Sequence, residues 1–186
     1  MKKSEREIEV KIKLDDVAQA KKKIADLGIS WSKPQTLIDK YYRPKGKERD
    51  TQRPGSFVVR IRRASEAVLA VKGLTDRRGV WEEYETKIGD AEAMEKILDK
   101  LGYSCVLTFH KKRTSARYKK FGLEIDEVEE LGNYLEIEAI GTDGEELQEE
   151  IKGLFKQLGL PEKNIERRGY PEIVMEAQGV KFVGQK

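Results

Sequence analysis

In the stretch Glu5-Arg6-Glu7-Ile8-Glu9-Val10-Lys11-Ile12-Lys13-Leu14, charged and apolar residues alternate from Glu7 to Leu14. Residues two apart on a strand share a face. Glu5, Glu7, Glu9, Lys11 and Lys13 therefore lie on one side, and Ile8, Val10, Ile12 and Leu14 on the other. The same separation recurs along the chain. Arg60 and Arg62 oppose Val59 and Ile61, Glu124 and Asp126 oppose Leu123 and Ile125, and Glu136 and Glu138 oppose Leu135, Ile137 and Ala139. Lys111 and Arg113 continue the face of Phe109, and Lys72 ends the Val68/Ala70 face.

Around these strands the apolar spacing predicts three amphipathic helices. One starts at Asp15 and carries Val17, Ala20, Ile24 and Leu27; one starts at Asp90 and carries Met94, Ile97, Leu98 and Leu101; one starts at Thr142 and carries Leu147, Ile151, Leu154, Phe155 and Leu158. Each ends in Leu-Gly, at Gly28, Gly102 and Gly159, as helix stops do. Each follows a strand, at Glu7 to Lys13, Trp81 to Lys87 and Tyr134 to Ile140, and each of these strands holds a Glu-x-Glu. Further β-branched and aromatic runs predict strands at Thr36 to Tyr42, Phe57 to Arg63, Ala67 to Lys72, Val106 to Arg113 or on to Tyr118, and Phe121 to Val128. The polar insert Arg43 to Ser56 reads as a mobile loop. The pattern is α+β and mainly antiparallel, with about eight strands, which suits a closed barrel or a large curved sheet.

Composition narrows the function. Lys and Arg number 37 against 34 Asp and Glu among 186 residues, a net charge of +3. That balance argues against a general nucleic-acid binder, which carries a cationic excess. Cys105 is the single cysteine, so no intrachain disulfide forms. The longest apolar run, Ala67 to Val71, is too short to span a bilayer. No apolar stretch follows Lys2 and Lys3, so the start is not a signal peptide, and a cytoplasmic protein is expected.

The bland explanation of the charged faces is a sheet with one side in water. Solvated faces mix signs, however, whereas here acids and bases are largely segregated by strand. Like charges side by side on a strand cost stability unless opposite charge sits between them. Closing the strands into a barrel would place these charges inside, at a cost of several kcal/mol per ion. A ligand justifies that arrangement: cations on the carboxylates and a polyanion on the Lys/Arg side.

The opening Glu7-Ile8-Glu9-Val10-Lys11 resembles the Glu-x-Glu-x-Lys motif of the CYTH superfamily, the triphosphate tunnel metalloenzymes. The resemblance continues in order through Val59-Arg60-Ile61-Arg62, Val71-Lys72-Gly73, Glu83-x-Glu85, Lys111-Lys112-Arg113, Asp126 and Glu136-x-Glu138. Asp126 to Glu136 is similar to a block of the class IV, CyaB-type adenylate cyclases. Arg168-Gly169-Tyr170 stands where those enzymes carry Ser-Tyr, a departure that leaves the role of this end open. The resemblance implies an eight-stranded closed tunnel with about three flanking helices and a single CYTH-like domain over 1–176; the end of the chain lacks periodicity, so 177–186 is expected as a flexible tail. It implies that Glu7, Glu9, Asp126, Glu136 and Glu138 hold Mg²⁺ or Mn²⁺. It implies that Lys11, Arg60, Arg62, Lys72, Lys111 and Arg113 hold a triphosphate, with Lys11 and Glu136 catalytic and Glu85 and Glu124 in support. Hard cations take carboxylate oxygens, and Arg gives forked bonds to phosphate while Lys supplies point charge.

The implied reaction is conversion of ATP to cyclic AMP and pyrophosphate. Hydrolysis of thiamine triphosphate or inorganic tripolyphosphate on the same fold is the alternative, and a non-catalytic nucleic-acid-binding barrel a third reading that the paired carboxylates oppose. Partners are the triphosphate and, as an open option, a second copy of the chain, with no membrane. His110 alternates away from Lys111 and Arg113, and Cys105 has no partner nearby, so neither is expected in the chemistry. Trp81 shares the Glu83/Glu85 face, with packing the expected role and the tunnel mouth the other; Glu83 is expected to pair with bases. Arg77, Arg78, Lys119 and Lys120 lie in turns, where charge is ordinarily solvated.

Overall fold

A computed structural model describes residues 6–50, 53–129 and 131–180. In chain order the elements are β1 (Arg6–Leu14), α1 (Val17–Ala25), β2 (Gln35–Pro44), β3 (Phe57–Arg63), β4 (Ala67–Leu74), β5 (Val80–Ile88), α2 (Ala91–Lys100), β6 (Tyr103–Tyr118), β7 (Phe121–Val128), β8 (Gly132–Gly141), α3 (Gly144–Gln157), a 3-10 turn at Glu162–Asn164, β9 (Ile165–Glu166) and α4 (Tyr170–Ala177). The strands pair antiparallel in the order β5-β4-β3-β2-β6-β7-β8-β1, and β1 meets β5 to complete a ring. That last seam is short, Glu7 opposite Trp81 and Ile8 opposite Val80. Further along the same strand, β9 pairs through Lys11 with Glu166 and Ile12 with Ile165.

The alternation of β1 is realised in the packing. Ile8 and Ile12 are fully buried with Leu123 and Ile137 beneath Ile24 of α1 and Ile151 and Phe155 of α3. Each such side chain contributes about 2 kcal/mol by leaving water. A separate outer cluster joins Val59 and Ile61 to Leu98 of α2. A third gathers Tyr41, Phe109 and Tyr134 around Tyr170 and Val174 of α4. The charged faces are left looking into the ring.

Several boundaries differ from the expected ones. α1 is capped by Asp16 rather than Asp15, because the Asp16 carboxylate accepts from the Gln19 N–H. α3 is capped by Asp143 rather than Thr142, accepting from the Glu145 and Glu146 N–H groups. Arg43 and Pro44 belong to β2, not to a mobile loop; the buried Arg43 guanidinium donates to the carbonyls of Glu48 and Asp50, while 51–52 lie outside the described residues. β9 and α4 were not foreseen. Tyr170 through Met175 are all buried, so α4 lacks the polar face that marks a helix in sequence. α4 also takes up Ala177, Gln178 and Gly179 form a turn, and Val180 packs on the third cluster; 181–186 lie outside the described residues, as does Glu5. Among the described residues no helix is long and apolar enough to cross a membrane.

Candidate active site

The ring encloses a cavity of about 590 Å³ lined by Glu7, Glu9, Lys11, Arg60, Arg62, Lys72, Lys111, Arg113, Glu136 and Glu138 among others. All the basic residues expected from the sequence line this space. Among the expected acids Asp126 does not, whereas Glu85 and Glu124 do.

Strand register builds the acidic side. Glu136 stands opposite Lys11 on β1 and Glu124 on β7, and Glu138 stands opposite Glu9 on β1 and Gly122 on β7. Carboxylate oxygens of Glu124, Glu136 and Glu138 lie within 4.8 Å of one another. Burial, reinforced by Glu124, Glu136 and Glu7, pushes the Glu138 carboxyl up to about 8. Burial likewise raises Glu7, with Glu9 and Glu136 adding to it and Lys72 opposing. Crowding and burial raise the pKa values of these acids, and a nearby positive charge would oppose that rise. An all-oxygen donor set of this kind fits a hard divalent cation such as Mg²⁺ or Mn²⁺.

The basic residues are fixed by acids. Lys11, buried, places Nζ 3.0 Å from Glu136 and 3.5 Å from Glu9. Burial disfavours its charge, but Glu136 and Glu9 outweigh that and hold its pKa above the ordinary lysine value. Lys72 reaches Glu7 at 3.0 Å and Glu83 at 3.1 Å, and Arg60 reaches Glu83 and Glu85 at 3.2 Å each. Arg62 forks onto Asp39 at 2.7 and 2.8 Å, and Arg113 forks onto Asp126 at 2.6 Å twice and also pairs with Glu124. Lys111 donates to Asp126 at 2.8 Å; burial, with Arg113 and Arg62 adding, still brings it down to about 8. Burial opposes the charge of Glu136, yet Lys11 and Arg113 bring it to about 2.

Tyr170, the first residue of α4, is buried and lines the cavity. Its ring centroid lies 4.6 Å from Lys11 Nζ and 4.8 Å from Lys111 Nζ, and it packs edge-on to Tyr134 at 5.7 Å. Two ammonium groups on an aromatic face gain cation–π stabilisation where water is scarce. Burial, with Asp126 and Glu136, keeps the phenol well above its usual pKa and therefore neutral.

Sequence reasoning missed Asp39 and left Tyr170 open. Asp39 shares a face with Leu37, Tyr41 and Arg43, a mixture that signals no charged wall; only its register opposite Arg62 reveals it. Trp81 is buried, as packing requires, and also lines the cavity. His110 and Cys105 are exposed. Arg77, Arg78 and Lys120 are not merely solvated: they pair with Glu145 at 2.9 Å, Glu172 at 3.3 Å and Glu150 at 2.8 Å, tying turns to α3 and α4.

A ring of charged strands with acids and forked bases facing one cavity defines a class, and the comparisons agree with it. The CYTH domain matches residues 5–170, and the chain belongs to that family. A protein of Methanocaldococcus jannaschii that carries a provisional adenylate cyclase name is 32% identical over 173 residues, spanning 90% of this chain and 97% of its own. The solved structure of a Pyrococcus horikoshii protein superposes with a TM-score of 0.78 at 26% identity, over 89% of this chain and 98% of that one. A Hippeastrum protein, provisionally named an adenylyl cyclase and described as having a dominant triphosphatase activity, shares the fold with a TM-score of 0.64 at 19% identity, over 97% and 98% of the two chains.

Proposed function

We propose that this protein is a divalent-metal-dependent enzyme acting on triphosphates, and that its reaction converts ATP to cyclic AMP and pyrophosphate. The observation that carries the reading is the meeting, in one cavity, of three clustered carboxylates and seven basic side chains, Arg6 among them. Glu124, Glu136 and Glu138, with Glu7 and Glu9 beside them, would hold Mg²⁺ or Mn²⁺. When bound, such an ion supplies positive charge to phosphate oxygens and lowers the pKa of a hydroxyl it touches.

The chain's own residues then do the positioning that phosphoryl chemistry chiefly needs. Arg60, Arg62 and Arg113 would orient phosphate oxygens by their planes, and Lys72 and Lys111 would add point charge. Lys11, held cationic against Glu136, would stabilise charge on the reacting phosphate. Tyr170 would shield Lys11 and Lys111 from water where its ring covers them. The ribose 3′-oxygen bonds to the α-phosphorus, the bond to the pyrophosphate oxygen breaks, and the hydroxyl proton is released.

A second reading has one observation behind it. The Hippeastrum relative of the same fold is described with triphosphatase activity, and the same cradle can present the terminal phosphorus to water. Incubation of the purified protein with ATP, thiamine triphosphate and tripolyphosphate, each with Mg²⁺ or Mn²⁺, separates the two. Cyclic AMP and pyrophosphate from ATP support the cyclase; orthophosphate from tripolyphosphate without any cyclic AMP from ATP replaces it with the phosphohydrolase.

A further inference from the structure

Behind the basic wall of the cavity lies a buried chain of alternating charge. Arg62 donates through Nε and Nη2 to the two oxygens of Asp39. Lys111 Nζ stands 3.9 Å from Asp39 Oδ2 and 2.8 Å from Asp126 Oδ2. Arg113 donates through Nε and Nη2 to the two oxygens of Asp126. The sequence Arg62, Asp39, Lys111, Asp126, Arg113 thus runs across β3, β2, β6 and β7, cation and anion in turn. The three cations line the cavity, whereas both aspartates are 0% exposed and neither lines it.

Three cations brought this close repel one another, as the lowered Lys111 pKa reflects. A carboxylate between each pair offsets the repulsion and fixes each guanidinium plane by a fork. Asp126 spends both oxygens on Lys111 and Arg113 and stands outside the group of clustered glutamates. We propose that Asp39 and Asp126 are positioning residues that hold Arg62, Lys111 and Arg113 in place for phosphate, and that neither is a ligand of the metal. The inference rests on the triphosphate reading above and assigns Asp126 a different task from the one its family resemblance implies.

The test is isothermal titration of the full chain with Mn²⁺ alone and with tripolyphosphate alone. Asp39→Asn and Asp126→Asn should each weaken tripolyphosphate binding by about tenfold or more and leave Mn²⁺ affinity within about threefold of the parent. The Asp39→Asn/Arg62→Ala double variant should lose clearly less than the sum of the two single losses, because Asp39 acts mainly through Arg62 and only at 3.9 Å on Lys111. A purely structural Asp39 would give additive losses, which would overturn its part. Loss of Mn²⁺ binding in Asp126→Asn, with tripolyphosphate affinity kept, would make Asp126 a metal ligand and overturn the other. If the aspartate variants do not fold, Arg62→Lys, which keeps the charge and loses the fork, should show the same loss; parent-like affinity there would contradict the proposal. A parent protein that binds neither probe overturns the triphosphate reading and this inference with it, whereas a parent that binds both leaves the variants to judge the inference alone.

Discussion

Gly122 on β7 stands directly across the ladder from Glu138 on β8, and a Cβ placed on it would come within 3.0 Å of the Glu138 Cγ and Oε1 atoms. The missing side chain is therefore the space in which Glu138 turns toward Glu124 and Glu136. Gly122→Val should displace that carboxylate and weaken Mn²⁺ binding by about tenfold, with the strand pairing retained. Titration calorimetry of the variant reads it; parent-like Mn²⁺ affinity would remove Glu138 from the metal site.

Arg60 holds Glu83 and Glu85 yet faces the cavity, so a bound polyanion would compete for its guanidinium. Arg60→Ala should cost about 1.5–3 kcal/mol of tripolyphosphate binding, the usual range for a charged hydrogen bond lost. Equilibrium titration of the two proteins checks this, and equal affinities would place Arg60 outside the phosphate path.

Asp39 gives the stability a pH dependence of known sign. Burial alone would raise its pKa, but the Arg62 fork and Lys111 hold it well below the ordinary carboxylate range. A depressed folded-state pKa adds stability that is fully present above the unfolded value, about 3.9, and is lost as pH falls below it. Asp39→Asn should cost about 1.5–3 kcal/mol at neutral pH, because the partly buried Arg62 loses a charged hydrogen-bond partner. The gap between the two proteins should narrow progressively as pH drops below about 4. Urea unfolding from pH 7 to pH 2.5 measures it; a gap that stays constant with pH would sever the link to ionisation.

Gly79 has φ +75°, and a Cβ there would lie 2.5 Å from the Glu9 carbonyl oxygen. Its own carbonyl accepts from the Glu9 N–H at 2.8 Å, so the turn fastens β1 beside the site. Gly79→Ala combines a left-handed backbone with a backbone clash and should destabilise by about 1–3 kcal/mol. Denaturant unfolding gives the value, and a stability equal to the parent's would show that the turn relaxes freely.

Much of this architecture was legible because β1, β7 and β8 keep strict alternation: their apolar residues meet α1 and α3 while their acids meet each other. Periodicity sorts faces but not registers. Glu124 looked secondary in sequence and becomes central only when β7 and β8 set it opposite Glu136. Asp126 shares that acid's face, yet the β6 register gives it to Arg113. Asp39 escaped notice because both faces of β2 mix charge with apolar residues, Leu37, Asp39 and Tyr41 on one and Ile38, Lys40 and Tyr42 on the other. α4 was invisible for the opposite reason: a short segment buried on nearly every side has no period to read.

The central claim is that the carboxylate cluster and the basic wall are two halves of one site. Thermal melting with Mg²⁺ alone, tripolyphosphate alone and both together tests it most directly, since a ligand bound only by the folded state raises Tm by linkage. Metal and tripolyphosphate together should raise Tm by more than the sum of their separate shifts, and Glu136→Gln should abolish that excess. A melting curve unmoved by both ligands together, at concentrations far above any plausible Kd, would contradict the account.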